Sequence, residues 1–329
     1  MPLILQNTVG PIGYGLMGFT WRPETVPIEQ AVEVLKSALE AGANLWNGAE
    51  FYGTPEYNSM TLIKRYFTKY PEDADRVTII IKGLQHVQTL VPDGSPEAVR
   101  QCVDNVLRQL GGKKKLDVFG ISRRDHRVPL ETTIEVLKTE YVDTGKIGGI
   151  SLSECSADTI HEAVKHTKVA AVEVELSMFT PDILKNGVAA ACAQYNIPIV
   201  AYSPLGRGIL TGQFKTDADT RHLGIVSHFP RLQGEALEHN LKLVEQVKVL
   251  ADKKGCTTAQ LAIAWVRSVG KLSNMPEIIP IPGATTTQRV QENAKVIELT
   301  EEESKAISDI VDGFEPAGPR YPNGIPTET

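Results

Sequence analysis

Two side chains whose chemistry depends on each other stand thirty residues apart: Tyr52, in the segment GANLWNGAEFYG, and Lys82, at the end of VTIIIKG. A free phenol is a weak acid, with an ordinary pKa of about 10. A lysine ammonium about 4 Å from a phenol stabilises the phenolate by a few kcal/mol, which makes tyrosine a usable general acid. The pair therefore predicts a proton-donating site. Asn47, in the same segment, stands where a carboxylate would be the obvious partner of the lysine.

Amphipathic helices alternate with short apolar strands along most of the chain, and this alternation must bring the two side chains together. The segment IEQAVEVLKSALEAG has apolar residues at helical spacing and a glycine stop, whereas VTIIIKG is a β-branched run typical of a buried strand. SPEAVRQCVDNVLRQLG opens with a serine cap and a proline. With a first strand near Pro11–Gly15, the chain contains eight strands that alternate with helices. This count indicates a closed (β/α)8 TIM barrel of the α/β class rather than a doubly wound open sheet.

The boundaries follow from the same pattern. We expect one domain over residues 1–329, with the barrel at about 10–311, an N-terminal hairpin before it and an irregular tail at 312–329 that is rich in proline and glycine. The segment from Pro204 to about Gly234 has turn residues but no period. It follows the seventh strand, on the face where barrels place their active sites, so it is either a cofactor clamp or a solvated insertion.

Composition excludes several classes of partner. The net charge of −6 argues against a nucleic acid or a membrane surface, and no apolar run approaches the length of a membrane helix. The four cysteines are widely spaced without a CxxC pair, which is typical of reduced thiols in the cytoplasm. No histidine spacing such as HExxH is present, so no metal site is expected.

The residues at the carboxyl ends of barrel strands converge on one site. Strand two contributes Asn47 and Tyr52, strand three Lys82, strand four Ser122, and strand five Ser153 and Glu154. Strand six contributes Glu173 or Glu175, strand seven Tyr202 and Ser203, and strand eight Pro282 and Gly283. A phenol, an ammonium, small hydroxyls and an exposed aromatic side chain together suit the binding of a ring and the protonation of a carbonyl.

Two glycine-bearing segments could bind phosphate. SPLGRGILTG carries Arg207, and PGATTTQRVQEN leads from a loop into a helix that carries Arg289. Backbone amides and a helix N-terminus form an anion site, although a structural turn explains either segment equally well. Neither is a P-loop, and no GxGxxG follows a strand, so the ordinary dinucleotide fingerprint is absent.

Five segments in this order and spacing resemble the aldo-keto reductase family from Gly10 to about Val311: GANLWNGAEFYG, VTIIIKG, GKIGGISLSECS, VAYSPLGRGILTG and PIPGATTTQRVQEN. The resemblance implies a (β/α)8 barrel closed at its base by an N-terminal hairpin. It also implies an NADPH-dependent carbonyl reductase in which Tyr52 is the proton donor and Lys82 activates it.

The resemblance further implies which residues hold the cofactor. On this resemblance the nicotinamide amide contacts Ser153, Glu154 and Glu173, and the nicotinamide ring stacks on Tyr202. The pyrophosphate is bound by Ser203, Leu205, Arg207 and Gly208. The adenosine and its 2′-phosphate are bound by Arg289, Glu292 and Asn293. Arg289 favours NADPH over NADH, although Thr285 stands where a lysine is frequent in the family.

Two positions depart from the family pattern. Asn47 replaces the aspartate that pairs with the lysine, so we expect Lys82 to lack a neutralising partner. Ser122 replaces the histidine that orients the carbonyl, and the loss of a preorganised donor costs a few kcal/mol of transition-state stabilisation. His86 and His126, in nearby loops, are the candidates to stand in for it.

Within the family, the WNGAEFYGTPEYNS segment and the replaced histidine are most similar to the fungal pyridoxal reductases, which reduce pyridoxal to pyridoxine with NADPH. On this interpretation the hydroxyl and nitrogen of the substrate ring compensate for the missing histidine. Two alternatives stay open. One is a general reductase of aryl or aliphatic aldehydes, and the other is a weakly catalytic, cofactor-sensing regulatory protein of the same fold.

Overall fold

Parallel strands form the centre of the molecule in the computed structural model, which describes residues 1–322, 324–325 and 327–329. The strands are β1 (Leu3–Ile4), β2 (Asn7–Thr8), β3 (Tyr14–Gly15), β4 (Leu45–Ala49), β5 (Thr78–Gly83), β6 (Leu116–Ile121), β7 (Ile147–Ser153), β8 (Val169–Glu175), β9 (Ile199–Tyr202) and β10 (Ile278–Pro280). Within the described residues, the eight strands from β3 to β10 pair in sequence order, and each pair is parallel.

The first and last of these strands meet and complete the barrel. Gly15 bridges Gly283 in parallel, and the Gly13 amide donates to the Pro280 carbonyl at 2.9 Å. The predicted (β/α)8 barrel is therefore confirmed.

Helices follow the strands as the sequence pattern predicts. They are α1 (Met17–Thr20), α2 (Ile28–Glu40), α3 (Ser59–Lys69), α4 (Pro96–Leu110), α5 (Leu130–Val136), α6 (Ala157–Ala163), α7 (Val188–Gln194), α8 (Gly234–Lys254), α9 (Thr258–Val269), α10 (Thr287–Ala294) and α11 (Glu301–Asp312). In α4 the Ser95 side chain accepts from the Ala98 amide, and Gly111 ends the helix in the left-handed conformation. One turn of π-helix, Leu137–Val142, continues α5.

Two apolar cores result from this arrangement. The larger lies between the strands and the helices. The smaller fills the barrel interior, where Leu45, Ile80, Val118 and Val200 pack around Ile4 of the antiparallel β1–β2 hairpin. The interior is thus a packed core, so the carboxyl ends of the strands are left to form a site.

Segments without regular secondary structure surround that end. The Pro204–Gly234 segment consists mainly of short 3-10 turns at Gly206–Thr211, Asp217–His228 and Pro230–Leu232. The tail after α11 is irregular over its described residues, as the sequence predicts. None of the described helices is long and apolar enough to span a membrane.

Candidate active site

One cavity of about 920 Å³ opens at the carboxyl ends of the strands. Of the predicted site residues, Glu154 and the alternative Glu175 do not line it, and the following do: Asn47, Tyr52, Lys82, Ser122, Ser153, Glu173, Tyr202, Ser203, Leu205, Arg207, Gly208, Arg289, Glu292 and Asn293. Glu154 is fully buried beside the cavity. The strand-end argument and the glycine-rich segments therefore lead to the same place.

Three polar side chains hold one another at the centre of this cavity. The Lys82 ammonium donates to Asn47 Oδ1 at 2.7 Å and contacts Glu173 Oε1 at 2.8 Å. Asn47 Nδ2 donates to the other Glu173 oxygen at 2.6 Å. The expectation that Lys82 lacks a neutralising partner is therefore wrong. The carboxylate comes from β8 rather than from the Asn47 position on β4.

Packing and charge both fix Lys82. A Cβ at position 120 on β6 would lie 2.9 Å from Lys82 Cγ, so a glycine at this position leaves room for the aliphatic part of the Lys82 side chain. Burial is the largest single influence on Lys82 and lowers its pKa, but the charge of Glu173, the Tyr52 phenol and the hydrogen bond to Glu173 together outweigh it and raise that pKa above its ordinary value. Lys82 is consequently a permanent cation at neutral pH.

Tyr52 lies beside this cation. The Lys82 ammonium is 5.2 Å from the centroid of the Tyr52 ring. Trp21 stacks on the same ring at 5.1 Å with an interplanar angle of 25°, and Phe51 packs edge-on at 5.1 Å. The Thr20 hydroxyl donates to the Tyr52 carbonyl at 2.8 Å and holds the loop in place. The phenol is thus positioned by aromatic neighbours against a buried positive charge.

The position of the family histidine is organised differently. The Ser122 hydroxyl donates to Gln85 Oε1 at 2.6 Å, and Gln85 Nε2 donates to the Leu90 carbonyl at 2.7 Å. Neither His86 nor His126 lines the cavity, and His126 Nε2 contacts Glu328 at 2.7 Å, so neither candidate is placed to stand in for the histidine. The side chain next along the strand end, Arg123, does line the cavity.

A second charged group lies on the Tyr202 side of the cavity and includes the C-terminal tail. Arg207 contacts the fully buried Glu175 at 2.7 Å, and the Tyr202 hydroxyl lies 2.5 Å from that of Tyr321. Arg320 of the tail forms an ion pair with Glu154. Glu154, Glu173 and Arg207, which the resemblance assigns to the cofactor, are therefore also bonded to other protein side chains.

Backbone strain concentrates in the same region. Glu154, Ser203 and Arg207 have φ of 49°, 50° and 58°, in the left-handed region that is uncommon for residues with a side chain. Gly208 has φ of 103°, and a Cβ there would lie 2.9 Å from the Phe214 ring. Such strain is typical of functional loops, and here it shapes the segment after β9.

The far end of the cavity lies at the N-terminus of α10. The Thr286 side chain caps this helix by accepting from the Arg289 amide, and Arg289 Nη2 donates to Gln213 Oε1 at 2.8 Å. Arg289 thereby connects the helix to the segment after β9. A cation, a helix N-terminus and adjacent polar side chains can hold a phosphate.

Several cavity residues were not identified from the sequence. Arg123 and Gln85 each lie two residues past a strand end. They would have been found if the loop residues that follow each strand had been included with the strand ends. Trp21 directly follows α1, the short helix after β3. Tyr321 belongs to the tail, in which no periodicity or motif marks a functional residue.

Comparisons with known proteins agree with this geometry. The model of the aldo/keto reductase family matches residues 11–312. The chain is 42% identical to "Probable pyridoxal reductase 2" of Schizosaccharomyces pombe, over 98% of this chain and 97% of that protein. It is 37% identical to "Putative pyridoxal reductase" of Saccharomyces cerevisiae, over 96% and 98% of the two chains.

Two further proteins are similar to this chain at lower sequence identity. An aldo-keto reductase of S. pombe named yakc, whose name specifies NADP(+), is 33% identical over 97% of this chain and 93% of its own length. A glycerol dehydrogenase from Gluconobacter oxydans superposes with a TM-score of 0.80 over 95% and 94% of the two chains, at 23% identity, and shares the fold. The chain therefore belongs to the aldo/keto reductase family and is an oxidoreductase.

Proposed function

We propose that this oxidoreductase reduces an aldehyde to an alcohol with NADPH, that its substrate is pyridoxal, and that Tyr52 is the proton donor. The observation that carries the proposal is the set Tyr52–Lys82–Glu173, a phenol beside a buried cation whose charge is maintained by its own carboxylate. The names of the two pyridoxal reductase relatives support the choice of substrate.

The cavity suits a dinucleotide in size and lining. It runs from Tyr52 past the strained segment after β9 to Arg289 at the N-terminus of α10, and its volume lies in the range of cofactor sites. Arg289 and the helix N-terminus would hold an adenosine phosphate, while Tyr202 and Ser153 lie at the nicotinamide end. The relative named for NADP(+) supports the same cofactor.

The proton transfer is the task of this chain's own residues. When bound, the nicotinamide supplies the hydride that adds to the aldehyde carbon. The carbonyl oxygen keeps the electron pair of the C=O bond and takes the Tyr52 proton. Lys82 stabilises the phenolate left on Tyr52, and Asn47 and Glu173 hold Lys82 in place. Trp21 and Phe51 cover the phenol and limit its contact with water.

Substitution of the proton donor tests the mechanism. We expect Tyr52→Phe to lower kcat for pyridoxal by about 100-fold or more, the usual contribution of a general acid. Oxidation of NADPH is the measurement. Tyr57→Phe is the matched control, because the Tyr57 hydroxyl donates to the Val26 carbonyl at 2.7 Å and that side chain does not line the cavity.

The same assay, run on a carbonyl panel, separates the alternatives. If Tyr52→Phe turned over pyridoxal at nearly the parental rate, Tyr52 would not be the proton donor. A higher kcat/KM for simple benzaldehydes than for pyridoxal would indicate a general aldehyde reductase. Tight NADPH binding without turnover of any carbonyl would indicate a cofactor-sensing protein.

A further inference from the structure

Tyr52 stands at the end of a tight turn that directly follows β4. The Tyr52 amide donates to the Ala49 carbonyl at 3.3 Å, so Glu50 and Phe51 occupy the two central positions of a four-residue turn. The Glu50 amide donates to the Lys82 carbonyl at 2.8 Å, which attaches the turn to the strand that carries the lysine. A group that fixes Glu50 therefore also fixes the proton donor relative to the cation.

The Glu50 carboxylate contacts the helix α4 and does not line the cavity. Asn105 Nδ2 donates to its Oε1 at 2.6 Å, and the Cys102 thiol donates to its Oε2 at 2.6 Å. The orientation of the Asn105 amide is fixed, because its Oδ1 accepts from the guanidinium of Arg108, which can only donate. Both carboxylate oxygens therefore accept, and each has its own donor on the same helix.

The Cys102 thiol contacts the lysine strand as well. Its sulfur accepts from the Leu84 amide at 3.4 Å, and a Cβ at Gly83 would lie 2.3 Å from it, so the thiol packs against the backbone at the end of β5. Burial and the charge of Glu50 raise the pKa of the Cys102 thiol well above its ordinary value, which keeps it a neutral donor at neutral pH. The helix α4 thus holds the end of β5 and the turn of Tyr52 through one side chain.

These contacts suit the precise placement of a reacting group. Hydrogen bonds to an ionised carboxylate are roughly twice as strong as those between neutral groups. A displacement of about 1 Å in a reacting group can lower the rate about 100-fold. We propose that Glu50 is a positioning residue, which acts through the hydrogen bonds of its carboxylate to α4 and holds Tyr52 beside Lys82. The proposal rests on the proposed role of Tyr52 as the proton donor.

Removal of the charge tests this proposal. Glu50→Gln keeps the length of the side chain but turns an amide donor towards either the Cys102 thiol or the Asn105 amide, so one of the two bonds is lost. We expect kcat for pyridoxal to fall about tenfold and KM for NADPH to change by about twofold or less, because the residue lies outside the cavity. Glu56→Gln is the matched control, since Glu56 is an exposed residue of the same loop.

The solvent isotope effect separates positioning from a loss of folded protein. The ratio of kcat in H2O to kcat in D2O should increase in Glu50→Gln, because a displaced Tyr52 slows the proton transfer and makes it more strongly rate-limiting. A smaller fraction of folded enzyme would lower kcat and leave the ratio unchanged. A fall in kcat at a constant isotope effect would therefore overturn the proposal.

Substitutions at Cys102 provide an independent test. Cys102→Ser keeps a donor for Glu50 and should retain kcat within about twofold, whereas Cys102→Ala removes the donor and should lower kcat about threefold or more. Since the thiol and the carboxylate form one contact, kcat of Glu50→Gln/Cys102→Ala should lie within about twofold of that of Glu50→Gln. Equal losses in the serine and alanine variants, or additive losses in the double variant, would contradict the proposal.

Amide hydrogen exchange keeps the test independent of turnover. The Glu50 and Tyr52 amides are both hydrogen-bonded at the turn, so a loosened turn exchanges them faster. We expect this exchange to be about threefold or more faster in Glu50→Gln and unchanged in Glu56→Gln. If the parent reduces no aldehyde and Glu50→Gln still exchanges faster, the proposed function fails and the role of Glu50 in holding the turn stands. If the parent reduces aldehydes and Glu50→Gln matches it in exchange and in kcat, the positioning role alone fails.

Discussion

At the residue scale, the amide of Asn47 and the carboxylate of Glu173 share the ammonium of Lys82. The two side chains project from β4 and β8, which lie four strands apart in the barrel order and meet only across its interior. The sequence identified all three residues, because strand ends converge, but it assigned Glu173 to the cofactor. No spacing along the chain reveals which strand supplies the counter-ion when the contact crosses the barrel.

An exchange of charge between these two residues gives a specific prediction. Asn47→Asp places a second carboxylate where Asn47 Nδ2 lies 2.6 Å from Glu173, so the two acids must share a proton or repel. Glu173→Gln leaves Lys82 buried without a counter-ion, a change that costs about 3–5 kcal/mol of unfolding free energy. We expect both single variants to lose stability and aldehyde reduction.

The double variant Asn47→Asp/Glu173→Gln restores one carboxylate and one amide around Lys82. We expect its unfolding free energy to lie within about 1 kcal/mol of the parent, which corresponds to a coupling of about 2 kcal/mol or more in the double-mutant cycle. Urea unfolding and kcat measure the two effects. Additive losses would mean that the side chains do not act as a unit.

At the scale of elements, periodic segments were predictable and aperiodic ones were not. The helix α4, with its serine cap and terminal glycine, follows local rules that are visible in the sequence. The segment after β9 has no period, because its shape depends on left-handed backbone at Ser203, Arg207 and Gly208 and on packing against Phe214. Tertiary contacts of this kind leave no local pattern.

The contact between this segment and α10 predicts a cofactor preference. Arg289 lies at the first turn of α10 and bonds to Gln213 across the cavity. We expect Arg289→Leu to raise KM for NADPH about tenfold or more and KM for NADH about twofold or less, because a charge-assisted bond to the 2′-phosphate is lost. Steady-state kinetics with both cofactors measure this.

Gln213→Ala separates the two roles of the arginine. It removes the contact across the cavity and keeps the cation, so it should affect NADPH and NADH alike. An Arg289→Leu enzyme that loses NADPH and NADH affinity equally would assign the arginine to the shape of the segment rather than to a phosphate.

For the whole molecule, tyrosines that are partly or fully buried make the folded state sensitive to alkaline pH. Burial raises the pKa of Tyr57 to about 12 and raises the pKa values of Tyr14, Tyr66 and Tyr141 above the ordinary value of about 10. Each contribution is fully present below pH 10 and is lost as the pH rises towards the folded-state pKa. The unfolded chain releases these protons first, so stability falls as pH rises.

We therefore expect the unfolding free energy to decline above pH 10 by about 1.4 kcal/mol per pH unit for each such tyrosine. Urea unfolding at a series of pH values measures the slope. Tyr66→Phe removes one titrating phenol, so the unfolding free energy should decline less steeply, by about 1.4 kcal/mol per pH unit. This variant also loses the bond from Tyr66 to Asp73, which lowers stability at neutral pH as well. A slope unchanged in Tyr66→Phe would contradict this account.

The stacking of Trp21 on Tyr52 has a practical consequence. Trp46 and Trp265 are 0% and 1% exposed, whereas Trp21 lines the cavity. Its indole emission therefore reports on the site, while the emission of the other two reports on the folded core. Reduced nicotinamides absorb in the range where indole emits, so a reduced nicotinamide bound against Tyr52 would quench the emission of the adjacent Trp21 most strongly. Trp21 fluorescence can therefore be used to follow binding at the site, because its ring contacts the residue proposed to donate the proton.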